Sequence, residues 1–303
     1  MTDYEVEVPK VTTIANFRDV SSLGAGIKPG LLFRSGHIDD ASRQDLKTLR
    51  EQFGINSVID LRGMQTWPYI SIADKPGKGI TDYAQQYPDH IASTSVLGLT
   101  LHYVSLFGPQ CGRYMFSQVN LWDKAKSIAH VAISPANGLK HWQKLMDARM
   151  SKHRMYVSEI VLDNAFPQIK AVFKVLADPS SYPILILDKY GGDMVSIIIS
   201  LTLFLLDSDM QSIHHDYMQT YQELAGLKEQ LLKDIEESGM TEDRMEPFLP
   251  FVNSLQQHIQ NKHGSIEQYL LNTGVDQSEL QAMKRTLIPA PGLSEKHGCL
   301  LDI

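Results

Sequence analysis

The sequence predicts an α/β fold, and three stretches carry that prediction. Pro183–Leu187 is a short apolar run, β-branched in part, of the kind that forms a strand buried on both faces. It is followed by a polar loop with two adjacent glycines, Asp188–Asp193, and then by Met194–Leu206, whose apolar character suits a helix at the centre of a domain. Leu31–Phe33 reads as a further strand delivering Arg34 to its end, and Ile55–Arg62 as another. A strand, a tight glycine loop and a helix start together make an anion cradle, because backbone N–H groups and the positive helix end converge on one point. Here that cradle contains two carboxylates, Asp188 and Asp193, and no arginine. This conflict of charge is the main clue to function.

The remaining elements follow in order. Ser42 is placed to cap a short amphipathic helix over Arg43–Arg50. Asp60 and Arg62, at the end of their strand, suit either a structural ion pair or ligand contact. Residues 69–155 are the least readable part and are expected to form an insertion or lid region. Within it Ser71–Thr94 reads as a loop, Leu101–Phe107 as a strand, and Met115–Leu145 as helical with a break near Ser134–Gly138. Val157–Leu176 is expected as one helix ending at Asp178-Pro179. Asp209 opens the next helix, on which His214, His215 and Asp216 diverge by about 100° per residue and so read as a surface cluster. Leu224–Glu237 and Met245–Ile259 are further helical stretches; Gly264 stops one helix and Ser265 caps the next. Leu280–Leu287 is helical and 289–303 reads as a loose tail. No repeat or linker divides the chain, so 1–303 is expected to be a single domain.

Composition narrows the partners. With 43% hydrophobic and 21% charged residues the chain has an ordinary globular composition. Its net charge of −7 argues against nucleic acid or an anionic membrane as the main partner. Cys111 and Cys299 have no metal-ligand spacing and read as thiols rather than a disulfide. His102, His130, His141 and His153 show no metal spacing either, so neither a metal nor another cofactor is expected. The start lacks the basic and apolar regions of a signal peptide, and Met194–Leu206 falls short of the roughly 17 apolar residues that span a bilayer. The expected location is cytoplasmic.

Five segments carry a resemblance. Asn16–Gly24 and Ile27–Gly36 resemble the N-F-R-D and P-G-x-[LI]-[YF]-R-S-[GA] elements of one branch of the cysteine-dependent tyrosine phosphatases. Ile55–Arg62 resembles that branch's V-I-D-L-R element, and Ile213–Thr220 its I-x-x-D-Y-x-L-T helix. Leu187–Ser196 resembles its catalytic loop, H-C-x-x-G-K-D-R-T-G. The resemblance implies a tyrosine/dual-specificity phosphatase-like fold: a central, mostly parallel sheet flanked by helices, with helical additions. Laid on the loop motif, Asp188 stands at the nucleophilic Cys, Lys189 and Tyr190 are the variable pair, and Gly191 and Asp193 match. Gly192 replaces the Lys and Met194 the Arg, while the S-x-x-E that usually follows V-I-D-L-R is replaced by Gly63–Pro68. A cysteine phosphatase needs a thiolate to attack phosphorus and a guanidinium to grip the phosphoryl oxygens. This loop offers neither, so phosphatase activity is not expected.

Two functions remain open at this point. In the first, the pocket serves a non-phosphorylated small molecule, with Asp188 and Asp193 as an acid/base pair for cyclisation, isomerisation or dehydration. Lys189, Tyr190, Gly191, Gly192, Met194, Arg18, Arg34, Asp60, Arg62 and Trp67 would then line the site. Tyr69, Tyr103, Phe107, Tyr114, Phe116 and Trp122 would suit an organic ligand, or would equally suit a core. In the second, the protein is a catalytically silent scaffold acting through a protein partner. The rewriting of the loop with ionisable rather than bulky apolar residues tilts the sequence reading to the first.

Overall fold

The computed structural model describes residues 11–63, 89, 91–96, 98–134, 141, 145, 153–237 and 242–290. Six strands form one sheet: β1 (Arg18–Asp19), β2 (Leu32–Ser35), β3 (Ser57–Asp60), β4 (Ile91–Val96), β5 (Leu99–Val104) and β6 (Ile184–Leu187). Their order is β1-β2-β6-β3-β5-β4. The four central strands are parallel, whereas β1 and β4 pair antiparallel at the two edges. The sheet is therefore mixed, with the expected parallel centre.

Register places the site. Ser35, Leu187, Asp60 and Tyr103 are cross-strand partners at one level, the C-terminal ends of β2, β6, β3 and β5. The loop after β6 thus emerges between two other parallel strands. All four β6 residues are buried, with Ile184 and Ile186 facing one hydrophobic core and Leu185 and Leu187 another. That two-sided burial is why the strand reads as an unbroken apolar run rather than an alternating one.

Eleven α-helices lie among the described residues: α1 (Arg43–Glu51), α2 (Pro109–Ser117), α3 (Leu121–Ile133), α4 (Tyr156–Asn164), α5 (Phe166–Ala177), α6 (Asp193–Leu205), α7 (Met210–Leu224), α8 (Lys228–Glu237), α9 (Phe251–His263), α10 (Ile266–Thr273) and α11 (Gln277–Leu287). Every residue of α6 from Val195 to Leu205 is buried, and the helix packs against α7, α9 and α10. Its lack of a polar face follows from being enclosed on all sides. The expected caps are present, Ser42 on α1 and Ser265 on α10, and Asp209 caps α7 as well, each accepting a backbone N–H three residues on.

Several boundaries differ from expectation. Val157–Leu176 is two helices, parted at Ala165 because Pro167 suits a first turn and not an interior. The Met115–Leu145 stretch also divides earlier than expected, since Asn120 caps α3 through Asp123. Residues 91–94, expected in a loop, belong to β4, an edge strand of mixed polarity. A 3-10 turn over Ala225–Leu227 precedes α8, and α9 begins at Phe251 rather than Met245. No helix among the described residues is long and apolar enough to cross a membrane.

Candidate functional site

The site is the Asp188–Asp193 loop, and its centre is already occupied by a side chain. Asp188 is 8% exposed. One carboxylate oxygen accepts the N–H groups of Tyr190, Gly191 and Gly192 at 3.0, 2.6 and 3.1 Å. The other accepts those of Met194 and Val195 at 3.1 and 3.2 Å. The last two donors belong to the second and third residues of α6, which an N-cap side chain normally satisfies. The cap position is Gly192, which has no side chain, so Asp188 caps the helix from across the loop. Asp193 does not cap α6; it is the first helical residue and is exposed. The five N–H groups that make an anion cradle thus converge on the protein's own carboxylate.

The outer side of the loop is held by the first sequence motif. Arg34 is fully buried. Its Nη2 donates to the Gly191 carbonyl at 2.5 Å and to Ser196 Oγ at 2.9 Å, and its Nη1 to Asp216. Asn16 Nδ2 donates to the carbonyls of Gly191 and Tyr190 at 2.8 and 3.2 Å. Arg18 donates to Asn16 Oδ1, to Asp216 Oδ1 through Nε and Nη2 at 3.0 and 2.9 Å, and to the Asp216 carbonyl and Thr220. Burial, and then the charge of Arg34, lower the Arg18 pKa to about 10 against the pull of Asp216. Gly191 has a φ of +71°, and a Cβ there would lie 2.6 Å from the Ser35 carbonyl carbon. Only glycine fits this close approach.

Asp216 is the residue this network turns on, and it was expected on a surface cluster. His215 is exposed and His214 half-buried, but Asp216 points inward between the two arginines. Asp19, by contrast, stays out of the arginine network; it caps the 3-10 turn Val20–Leu23 and accepts from Gly30.

At the loop's rim, Lys189 Nζ lies 2.5 Å from Asp234 Oδ2, and the Tyr190 hydroxyl donates to the same oxygen. Burial and then Asp234 raise the Tyr190 pKa. Burial pushes Asp234 up, but the bonds from Lys189 and Tyr190 outweigh it and hold the carboxyl below its ordinary value. Met194, where the resemblance would place an arginine, packs on the main core. Asp193 faces a different group: after burial, its charge is the leading cause that raises the Tyr221 pKa, and Tyr221 lies 3.1 Å from the Tyr217 hydroxyl.

The other expected ligand residues are placed as follows. Arg62 grips Asp60 through Nε at 3.0 Å and reaches Asp39 through Nη1 at 2.5 Å, so the structural ion pair is realised with a third member. Burial outweighs Arg62 and raises the Asp60 pKa; burial lowers that of Arg62, but its two carboxylate partners outweigh this and raise it. Trp67 and Tyr69 lie outside the described residues. Of the aromatic residues expected in a pocket or core, Tyr103 is buried and Phe107 packs against the core, whereas Tyr114, Phe116 and Trp122 are exposed. Their exposure excludes the core reading for those three. Cys111 is a free, buried thiol, and the described residues hold no cluster able to bind a metal ion.

A mixed sheet with a parallel centre and the loop of β6 at its carboxyl edge, tied by N-F-R-D and by the arginine of β2, is the framework of a tyrosine phosphatase-like protein. The tyrosine phosphatase family matches residues 9–289, and the chain belongs to that family. No curated protein matches it closely enough to add an activity.

Sequence reasoning missed Asp216, Asp39 and Asp234. A signal for the first was present, since Asp216, Tyr217 and Thr220 fall on the I-x-x-D-Y-x-L-T pattern. Asp234 lies among lysines and glutamates on α8, where nothing in the sequence distinguishes it.

Proposed function

We propose that this protein is a phosphatase-fold binding module whose cradle holds Asp188 in place of a phosphoryl group. The observation that supports this most is the capture of all five cradle N–H groups by one carboxylate. A phosphate brought to within ~4 Å of that charge would face about 4 kcal/mol of repulsion at an effective dielectric of about 20. Arg34, which could have offset it, is spent on Asp216, Gly191 and Ser196. The same five bonds count against Asp188 as a general base, because both of its oxygens are already engaged by backbone N–H groups and neither is turned to a substrate.

Titration calorimetry with inorganic phosphate tests this reading. The expected result is no binding to the natural chain, and binding once Asp188→Ser vacates the cradle. Hydrolysis of an aryl phosphate by the natural chain, or phosphate binding that Asp188→Ser leaves unchanged, would overturn it.

One observation favours a second reading, a cofactor-free enzyme acting on a non-phosphorylated small molecule by cyclisation, isomerisation or dehydration. Asp193 is exposed at the start of α6, and its charge acts on the hydroxyl pair Tyr217–Tyr221. The proton-transferring group would then be Asp193 rather than Asp188. Native mass spectrometry of the purified chain after exposure to a metabolite extract discriminates the two. A retained organic molecule that is altered by the natural chain and unaltered by Asp193→Asn would favour the enzyme.

A further inference from the structure

Helices α2 and α3 carry a surface that the cradle does not use. They follow β5, leaving the sheet from the same carboxyl edge at which β6 hands over to Asp188. Cys111 and Met115 anchor α2 in the core, and Val119 anchors the turn after it. The next helix is turned inside out. Ser127 is buried, while Leu121, Trp122 and Ile128 are 83%, 70% and 64% exposed. Ala125, Ala129 and Ala132 are exposed at helical spacing with them, so an apolar face runs the length of α3. Exposed Tyr114 and Phe116 on α2 extend it.

Single exposed apolar residues need no explanation, but a contiguous face of this kind marks a surface that meets an apolar phase. Charge indicates which. Residues 109–133 contain Arg113, Lys124 and Lys126 against Asp123, so 3 − 1 gives +2 in a chain whose net charge is −7. Lys124 Nζ sits 5.1 Å from the Phe116 ring centroid and Lys126 Nζ 5.3 Å from that of Trp122, which holds both cations at the margin of the apolar face. Lysine is depleted from the core of protein–protein interfaces. Trp, Leu and Ile flanked by lysines that snorkel is instead the composition of a helix lying in the headgroup layer of an anionic bilayer.

We propose that α2 and α3 dock this protein on an anionic lipid surface, with α3 lying in the plane of the interface. The whole-chain charge that argued against a membrane is outweighed locally, since charges farther than about 10 Å from the headgroups are screened at ordinary ionic strength. This inference goes beyond the reading of the cradle and does not depend on it.

Cosedimentation of the full chain with vesicles is the test, using phosphatidylcholine alone and phosphatidylcholine with about 30% phosphatidylserine. The chain is expected to pellet with the anionic vesicles, and less so as salt is raised. Leu121→Glu with Trp122→Glu is expected to weaken partition about tenfold or more, since it removes the two most exposed apolar anchors. Lys124→Gln with Lys126→Gln leaves the apolar face intact and is expected to abolish the preference for phosphatidylserine. Failure to pellet with anionic vesicles at low ionic strength overturns the proposal, as does equal partition by both variants and the natural chain. So would a dimer in solution that the Leu121/Trp122 variant separates, with no vesicle binding; the face would then belong to a second copy.

Discussion

Asp188 and Arg34 hold the same glycine from its two ends. The Gly191 N–H donates to Asp188 at 2.6 Å, and the Gly191 carbonyl accepts from Arg34 Nη2 at 2.5 Å. The carboxylate inside the loop and the guanidinium behind it are opposite charges joined through one residue, and both are buried. Each limits the cost of burying the other, and the loop between them is fixed without any ligand. This arrangement ranks the contributions to the site. Remove the inner charge and the loop loses its internal template; remove the outer one and it loses its support.

Asp188→Asn tests the inner charge. The amide keeps the shape but turns one acceptor oxygen into an NH2 group facing backbone donors. At least two hydrogen bonds to a charged acceptor are lost, for a cost of about 2–4 kcal/mol in urea denaturation. An unchanged midpoint would mean that the carboxylate does not organise the loop.

Asp216→Asn tests the outer support. Two buried guanidinium groups share this one carboxylate. Neutralising it leaves positive charge buried without compensation, at about 3–5 kcal/mol. A double-mutant cycle with Arg18→Met is expected to show strong coupling, because removing one arginine relieves part of the excess. Additive losses would place Asp216 outside the network.

Gly191→Ala combines a positive φ with a contact no Cβ can make, 2.6 Å from the Ser35 carbonyl carbon and 2.8 Å from Asn16 Nδ2. The left-handed conformation alone costs about 1–2 kcal/mol, and displacing β2 or Asn16 adds to it. Gly226→Ala, where a Cβ meets nothing within 4 Å, is the control and is expected to stay within about 1 kcal/mol of the natural chain. Equal thermal shifts for the two would refute the close approach.

How much of this was legible depended on whether local sequence alone decided the outcome. The β6 strand, the loop and α6 are local patterns enclosed on all sides, and their apolar runs read directly. Arg18, Arg34 and Asp188 were legible because a family pattern surrounds each of them. Asp216 carried the same kind of signal in the I-x-x-D-Y-x-L-T pattern, but it stands beside His214 and His215, and only tertiary packing selects which of these diverging residues turns inward. The outward face of α3 was illegible for a related reason. Leu121, Trp122 and Ile128 have the spacing of a core-facing stripe, and periodicity does not say which way the stripe points. The two-helix break at Ala165 carried its signal in Pro167, which was overlooked inside a long apolar run.

The rim contact makes a pH-dependent prediction whose sign can be worked out. Lys189 and Tyr190 both bind Asp234, and these bonds outweigh burial to hold the Asp234 pKa below its ordinary value. The unfolded chain therefore takes up this proton first as pH falls, so the contact stabilises the native state fully above about pH 4 and is lost as pH drops through the native value. Asp45, bound by Thr12 and Thr13, moves in the same direction, and Asp60, raised by burial, moves in the opposite one. The wild-type acid limb alone thus mixes several carboxylates, and the comparison has to be with Asp234→Asn. That variant is expected to melt below the natural chain at pH 7, by about 1 kcal/mol or less because Lys189 is mostly exposed to solvent. The difference should shrink steadily below pH 4 as the natural carboxyl is protonated too. A gap that stays constant down to the acid transition would mean the asparagine costs packing, not charge, and that Asp234 does not fasten α8 to the loop through its ionised form.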